Sequence, residues 1–176
     1  MRRFRHVPFG NDNFLSVLEG VEGGFAIFAG LVIGLSFEGV SRDLLILIAG
    51  ISIIVNALNA SAVRFASEHY MDELDGHEKR SWLKAYFVPS FIEFLAYLAV
   101  SLIAIIPLLL IAPLNVAISC SVFLTLIILF VAGWYRGSLL MRRHAVRDGF
   151  EVAGLGLLII VAGGLSGWLL SQFVAG

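Results

Sequence analysis

Few side chains in this sequence are charged, and several of those stand where charge is costly. Glu19 and Glu22 lie three residues apart inside an apolar stretch, a spacing that puts both on one face of a helix. An acidic residue at the centre of a bilayer costs roughly 2.5–3.5 kcal/mol on insertion scales. A pair kept there suits an interior path, a partner or a cation. Carboxylate oxygens are preferred ligands of hard cations, and a carboxylate shielded from water can also carry a proton. The pair therefore reads as metal ligands or proton carriers, unless the helix starts late and both groups lie among lipid headgroups.

Other residues extend this pattern. Asn56 and Asn59 repeat the three-residue spacing. Their carbonyl oxygens suit the lining of a cation path, or hydrogen bonds between helices, worth roughly 0.6–2 kcal/mol in membranes. Arg64 follows them, and we expect it to snorkel to the interface rather than pair with a glutamate. Glu93 opens a later apolar run and is a candidate gate or proton relay, or else the partner of a basic residue. Glu68, His69, Asp72 and Glu73 lie in a polar segment, 68–78, where one-turn spacings can place two ligands around an ion. They are a weaker candidate for metal capture, against a solvated face. Asp148 and Glu151 open the last apolar run, where anionic groups suit a helix N-terminus. Cys120 is the only cysteine, which excludes an internal disulfide and paired-cysteine metal or redox sites.

These residues need elements to hold them, and the composition says where those elements are. The chain has 176 residues, 59% hydrophobic and 14% charged, with mean hydropathy +0.93. Soluble domains carry roughly 25% charged residues. This is an integral membrane chain by composition, with the lipid bilayer as its first partner and no basic surface for nucleic acid. A helix needs about 20 apolar residues to cross a bilayer core. Residues 44–63, 94–135 and 152–176 contain no formal charge, and Pro107 and Pro113 divide the long middle run. Unpaired backbone groups are excluded from lipid, so the spans are helices. We expect one all-α transmembrane domain over 1–176, with five spans near 14–37, 44–66, 86–111, 115–136 and 150–174. A short acidic segment, 67–84, joins the second and third, and the second helix is expected to run beyond the membrane until Gly76.

Five spans place every Lys and Arg but Arg42 on one side: Arg2, Arg3, Arg5, Arg64, Lys79, Arg80, Lys84, Arg136, Arg142, Arg143 and Arg147. Basic residues favour the cytoplasm, which predicts an N-in, C-out topology in the cell membrane, with a retained N-terminus. Trp82, Trp134 and Tyr135 suit interfacial anchors. The pairs Gly20 with Gly24, Gly30 with Gly34, and Gly163 with Gly167 allow close helix contact, either within the chain or in a dimer.

The order of these features resembles the vacuolar iron transporter (VIT) family across nearly the whole chain. Gly20-Val21-Glu22-Gly23-Gly24-Phe25, running on to Gly34, resembles its first-helix Gly-Ala-Asn-Asp-Gly pattern. The stretch from Gly50 through Asn56-Ala57-Leu58-Asn59-Ala60 to Ser67 resembles the second-helix Asp-Gly-Leu-Ser-Met pattern followed by Glu-Tyr. Ile106-Pro107-Leu108 resembles the Pro-Leu near the end of the third helix. Phe130 to Gly137 and Arg147 to Gly154 resemble the fourth-helix end and the fifth-helix start.

The ligand positions depart from the family. Its first-helix Asp falls on Gly23, beside Glu22. On the second helix its Asp falls on Asn56, its Ser on Asn59, its Met on Ala60 and its Glu on Arg64. The long acidic insert after the second helix is replaced by the short 68–78 stretch. The resemblance implies a five-helix homodimer that transports a divalent cation, iron or manganese, in exchange for protons, with no resident cofactor. Glu19 and Glu22 would then carry metal or protons, along a path that Asn56, Asn59 and Glu93 line. The altered ligands leave two alternatives open: a scaffold or interaction protein that kept the fold, or a carrier of another substrate. No catalytic motif points to an enzyme.

Overall fold

The computed structural model describes residues 11–37, 39–76, 81–139 and 144–174. Among them the chain is all helix: α1 (Asn11–Ser36), α2 (Arg42–Leu74), α3 (Val88–Leu110), α4 (Leu114–Leu139) and α5 (Ala145–Val174). Each is long and apolar enough to cross a bilayer. Arg2, Arg3, Arg5, His77, Glu78, Lys79, Arg80, Arg142 and Arg143 lie outside the described residues, as do the surroundings of Gly24.

The helix ends follow local chemistry. Gly39 adopts φ +62° in the turn after α1, a conformation that costs other residues more. Ser41 then caps α2 by accepting a hydrogen bond from the Leu44 N–H, with Asp43 in the first turn. As the apolar spacing predicts, α2 continues to Leu74, and the chain turns at Gly76 with φ +67°. A π-helical turn, Leu83–Phe87, leads into α3, whose first turn holds Pro89. Pro107 does not end α3. The helix runs through it, and the break falls at Ile111, which is extended. Neighbouring helices in a membrane tolerate such a proline because they shelter its freed carbonyl. Arg42 closes this end of the bundle. Its Nη2 donates to the carbonyls of Ile111 (2.7 Å) and Ala112 (2.6 Å), satisfying groups the helix leaves unpaired.

In the packed bundle α1 touches all four other helices, while α2, α3, α4 and α5 follow one another around it in chain order. Ala26, Ala29 and Val32 of α1 are buried with Leu45, Ala49 and Ala57 of α2, Leu108 of α3 and Leu129 of α4. Small residues set the closest approaches. A Cβ on Gly163 would sit 2.6 Å from the Gly30 carbonyl, and one on Gly34 2.8 Å from the Gly163 carbonyl. The α1 and α5 glycine pairs therefore serve contact within one chain. Gly20 does the same against α3, where an added Cβ would stand 2.5 Å from the Glu93 carbonyl oxygen. The outer surface is apolar: Leu47, Ile51, Ile54 and Leu58 on α2, and Leu155, Leu158, Leu165 and Leu169 on α5, are exposed. A surface of this kind suits lipid. Trp82, Trp134 and Tyr135 are also exposed, near helix ends.

Candidate functional site

Two clusters of charge form where the first half of α1 meets its neighbours. Glu19 and Glu22 are three residues apart, which on a helix leaves an angle of roughly 60° between them. On an isolated helix they share a face. On a helix surrounded by others, that angle aims them at different partners. Glu19 pairs with Arg64 of α2. Glu22 accepts from Nη1 of Arg136 on α4 through both carboxylate oxygens, at 2.9 and 3.0 Å. The two glutamates thus belong to separate clusters, and each is matched by an arginine.

The larger cluster centres on Arg64. The sequence reading puts this side chain at the membrane interface. Instead it is 7% exposed and turned inward. Nη1 holds Glu19, and Nη2 holds Glu68 at 2.7 Å, one turn along α2. Nε faces Oε2 of Glu93 on α3 at 3.8 Å. That distance brings the charges together without a hydrogen bond, and both buried atoms lack a hydrogen-bond partner. The physical reason for the inward turn is that three carboxylates offer more than an interface does. A guanidinium presents several donors in a fixed fork suited to bridging such groups.

The cluster lines a cavity of about 530 Å³ between α1, α2 and α3. Glu19, Asn59, Arg64, Ser67, Glu68 and Glu93 supply its polar wall, and Leu15, Ala60 and Val63 its apolar wall. Exposure is graded across it: the Glu19 side chain is 46% exposed, Glu68 34% and Glu93 8%. The cavity thus has an open edge of two carboxylates and an inner carboxylate. Its formal charge is three negative groups against one positive. Carboxylate and amide oxygens are the groups that hold a hard cation, and here Arg64 stands among them.

Several sequence candidates lie elsewhere. Asn56 is half-buried and not part of the cavity wall. The proposed capture group at the end of α2 separates: Glu68 turns into the cavity, Asp72 accepts a 2.7 Å hydrogen bond from the Tyr86 hydroxyl, and His69 stands edge-on to the Tyr86 ring. Glu73 is exposed. Among the described residues, no three His, Cys, Asp or Glu side chains converge in a metal-binding group. Asp148 is buried in the first turn of α5, and Glu151 pairs with Arg147 one turn away. Sequence reasoning weighed a glutamate partner for Arg64 and a basic partner for Glu93, which the structure joins, but missed Arg136. The four-residue spacing of Arg64 and Glu68 was the available signal, whereas nothing local marks Arg136 as the partner of Glu22.

The sequence profile of the VIT family matches residues 52–168, from within α2 to within α5. No curated protein matches the chain.

Proposed function

The chain belongs to the VIT family, whose members are membrane transporters, and from that premise we propose that it carries a divalent metal cation, iron(II) or manganese(II), across the cell membrane. The cavity between α1, α2 and α3 is the cation station in this reading. The observation that carries it is that Glu19, Glu68 and Glu93, from three different helices, line one cavity around Arg64 with an excess of negative charge. Glu93 is the inner ligand, Glu19 and Glu68 form the mouth, and Asn59 lends a carbonyl oxygen. Glu22, held by Arg136, lies outside the station and has a charge-balancing role. The arginine-rich end faces the cytoplasm, the transporter acts as a homodimer, and proton exchange drives the metal.

One observation favours a second reading, a scaffold that kept the fold and lost transport. Arg64 already neutralises part of the station, and a fixed positive charge repels cations. Uptake of iron(II) and manganese(II) into proteoliposomes, with and without a pH gradient, separates the two. A carrier gives saturable uptake that responds to the gradient, and Glu93→Gln lowers it at least tenfold. Folded protein that moves neither metal supports the scaffold.

A further inference from the structure

We infer that Arg64 is a tethered cation that occupies the carboxylate cavity and must swing aside before a divalent ion can bind. The inference rests on the reading of that cavity as a cation station, and it names what holds the station closed.

Three features carry it. First, the whole guanidinium is turned to acid: Nη1 to Glu19, Nη2 to Glu68, and Nε towards Glu93. A side chain that served only to anchor α2 at an interface would not be buried to this degree. Second, the fit is incomplete. Arg64 Nε and Glu93 Oε2 are both buried, 3.8 Å apart, and neither has a hydrogen-bond partner. A buried charged atom left without a hydrogen bond is costly, and Oε2 of Glu93 lines the cavity in that state. It offers an incoming ion a first ligand that the arginine does not satisfy. Third, the arginine has somewhere to go. Glu68 lies one turn further along the same helix and is 34% exposed, at the open edge of a cavity of about 530 Å³. Arg64 can keep Glu68 and move outward, releasing Glu19 and leaving Glu93 free, both for the metal.

The exchange selects by charge. A monovalent cation replaces one positive charge with another and forfeits the hydrogen bonds of the guanidinium. A divalent cation brings one more charge to the Glu19 and Glu93 carboxylates that Arg64 gives up, and beside the buried Glu93 that difference counts most. Arg64 thereby acts as the threshold that a divalent ion passes and a monovalent ion does not.

The test is equilibrium binding of manganese(II) alone to the purified full-length protein in detergent. It is followed by electron paramagnetic resonance of the free ion and by thermal unfolding with and without the metal. Arg64→Gln is expected to bind manganese at least tenfold tighter than the native protein and to gain more thermal stability from it. Adding Glu93→Gln should abolish the gain. Arg64→Lys, which keeps the charge but loses the fork, should bind several-fold tighter than the native protein, and it decides the matter if Arg64→Gln does not fold. Equal or weaker binding by Arg64→Gln, a gain that survives Glu93→Gln, or native affinity in Arg64→Lys where that variant must decide, overturns the tethered-cation role. Native protein that transports metal while Arg64→Gln binds no tighter defeats this inference alone. Tighter binding by Arg64→Gln in a chain that transports nothing defeats the carrier reading alone.

Discussion

At the scale of single residues, the bundle solves one problem twice. Each glutamate of α1 is matched by an arginine from another helix, Glu19 by Arg64 and Glu22 by Arg136. Removing one partner of a sheltered pair leaves the other charge uncompensated, whereas removing both does not. Glu22→Gln and Arg136→Gln should therefore each lower the unfolding temperature in detergent, and the double variant should be no worse than the worse single. The coupling between them is expected at about 1–2 kcal/mol. Simple addition of the two losses would show that the pair contributes nothing. These pairings were largely hidden in the sequence. Both glutamates were visible as charges in an apolar run, but their partners lie 45 and 114 positions away. Only the arrangement of helices around α1 decides which arginine each one meets.

At the scale of elements, the five helices were legible because a bilayer imposes length and apolarity on anything that crosses it. The ends were less so. Pro107 reads as a break, yet α3 passes through it, and Arg42 rather than Pro107 finishes that end by binding the Ile111 and Ala112 carbonyls. Helix spacing was also undetermined: the paired glycines fitted contact within or between chains, and the structure uses them within. The α1–α5 contact is so close that a side chain at Gly163 meets backbone on Gly30, which cannot move aside. Gly163→Val should lower the unfolding temperature by well over 10 °C or prevent folding, because overpacking of this kind forces whole helices apart. Gly50 on α2 has nothing within reach of an added Cβ. Gly50→Ala should be neutral or stabilising by up to about 1 kcal/mol. Equal losses at the two sites would contradict the described packing.

At the scale of the whole molecule, charge is distributed end to end. Arg64 and Arg136 pair with the first half of α1 and Arg147 with Glu151 at the start of α5, while Arg42 lies at the opposite end of α1, beside the α3–α4 turn. If the arginine-rich end faces the cytoplasm, single cysteines report it directly. In a Cys120→Ser background, Ala112→Cys should react with a membrane-impermeant thiol reagent in intact cells. Glu73→Cys should react only after permeabilisation. The reverse pattern would invert the orientation and with it the direction in which the cavity opens. The cavity itself could not be found by composition, since it is assembled from α1, α2 and α3 and depends on Gly20 letting α1 approach α3.

The central position of α1 also bears on how the protein is made. This helix leaves the ribosome before α2, α3, α4 and α5, the four helices it packs against. Among the described residues, Glu19 gains its arginine only when α2 arrives, and Glu22 only when α4 arrives. The nascent α1 is therefore expected to insert without the two ion pairs that the folded bundle gives it, and later segments to complete them. A chain halted after α3 is expected to hold the Arg64–Glu19 pair but not the Arg136–Glu22 pair, which needs α4.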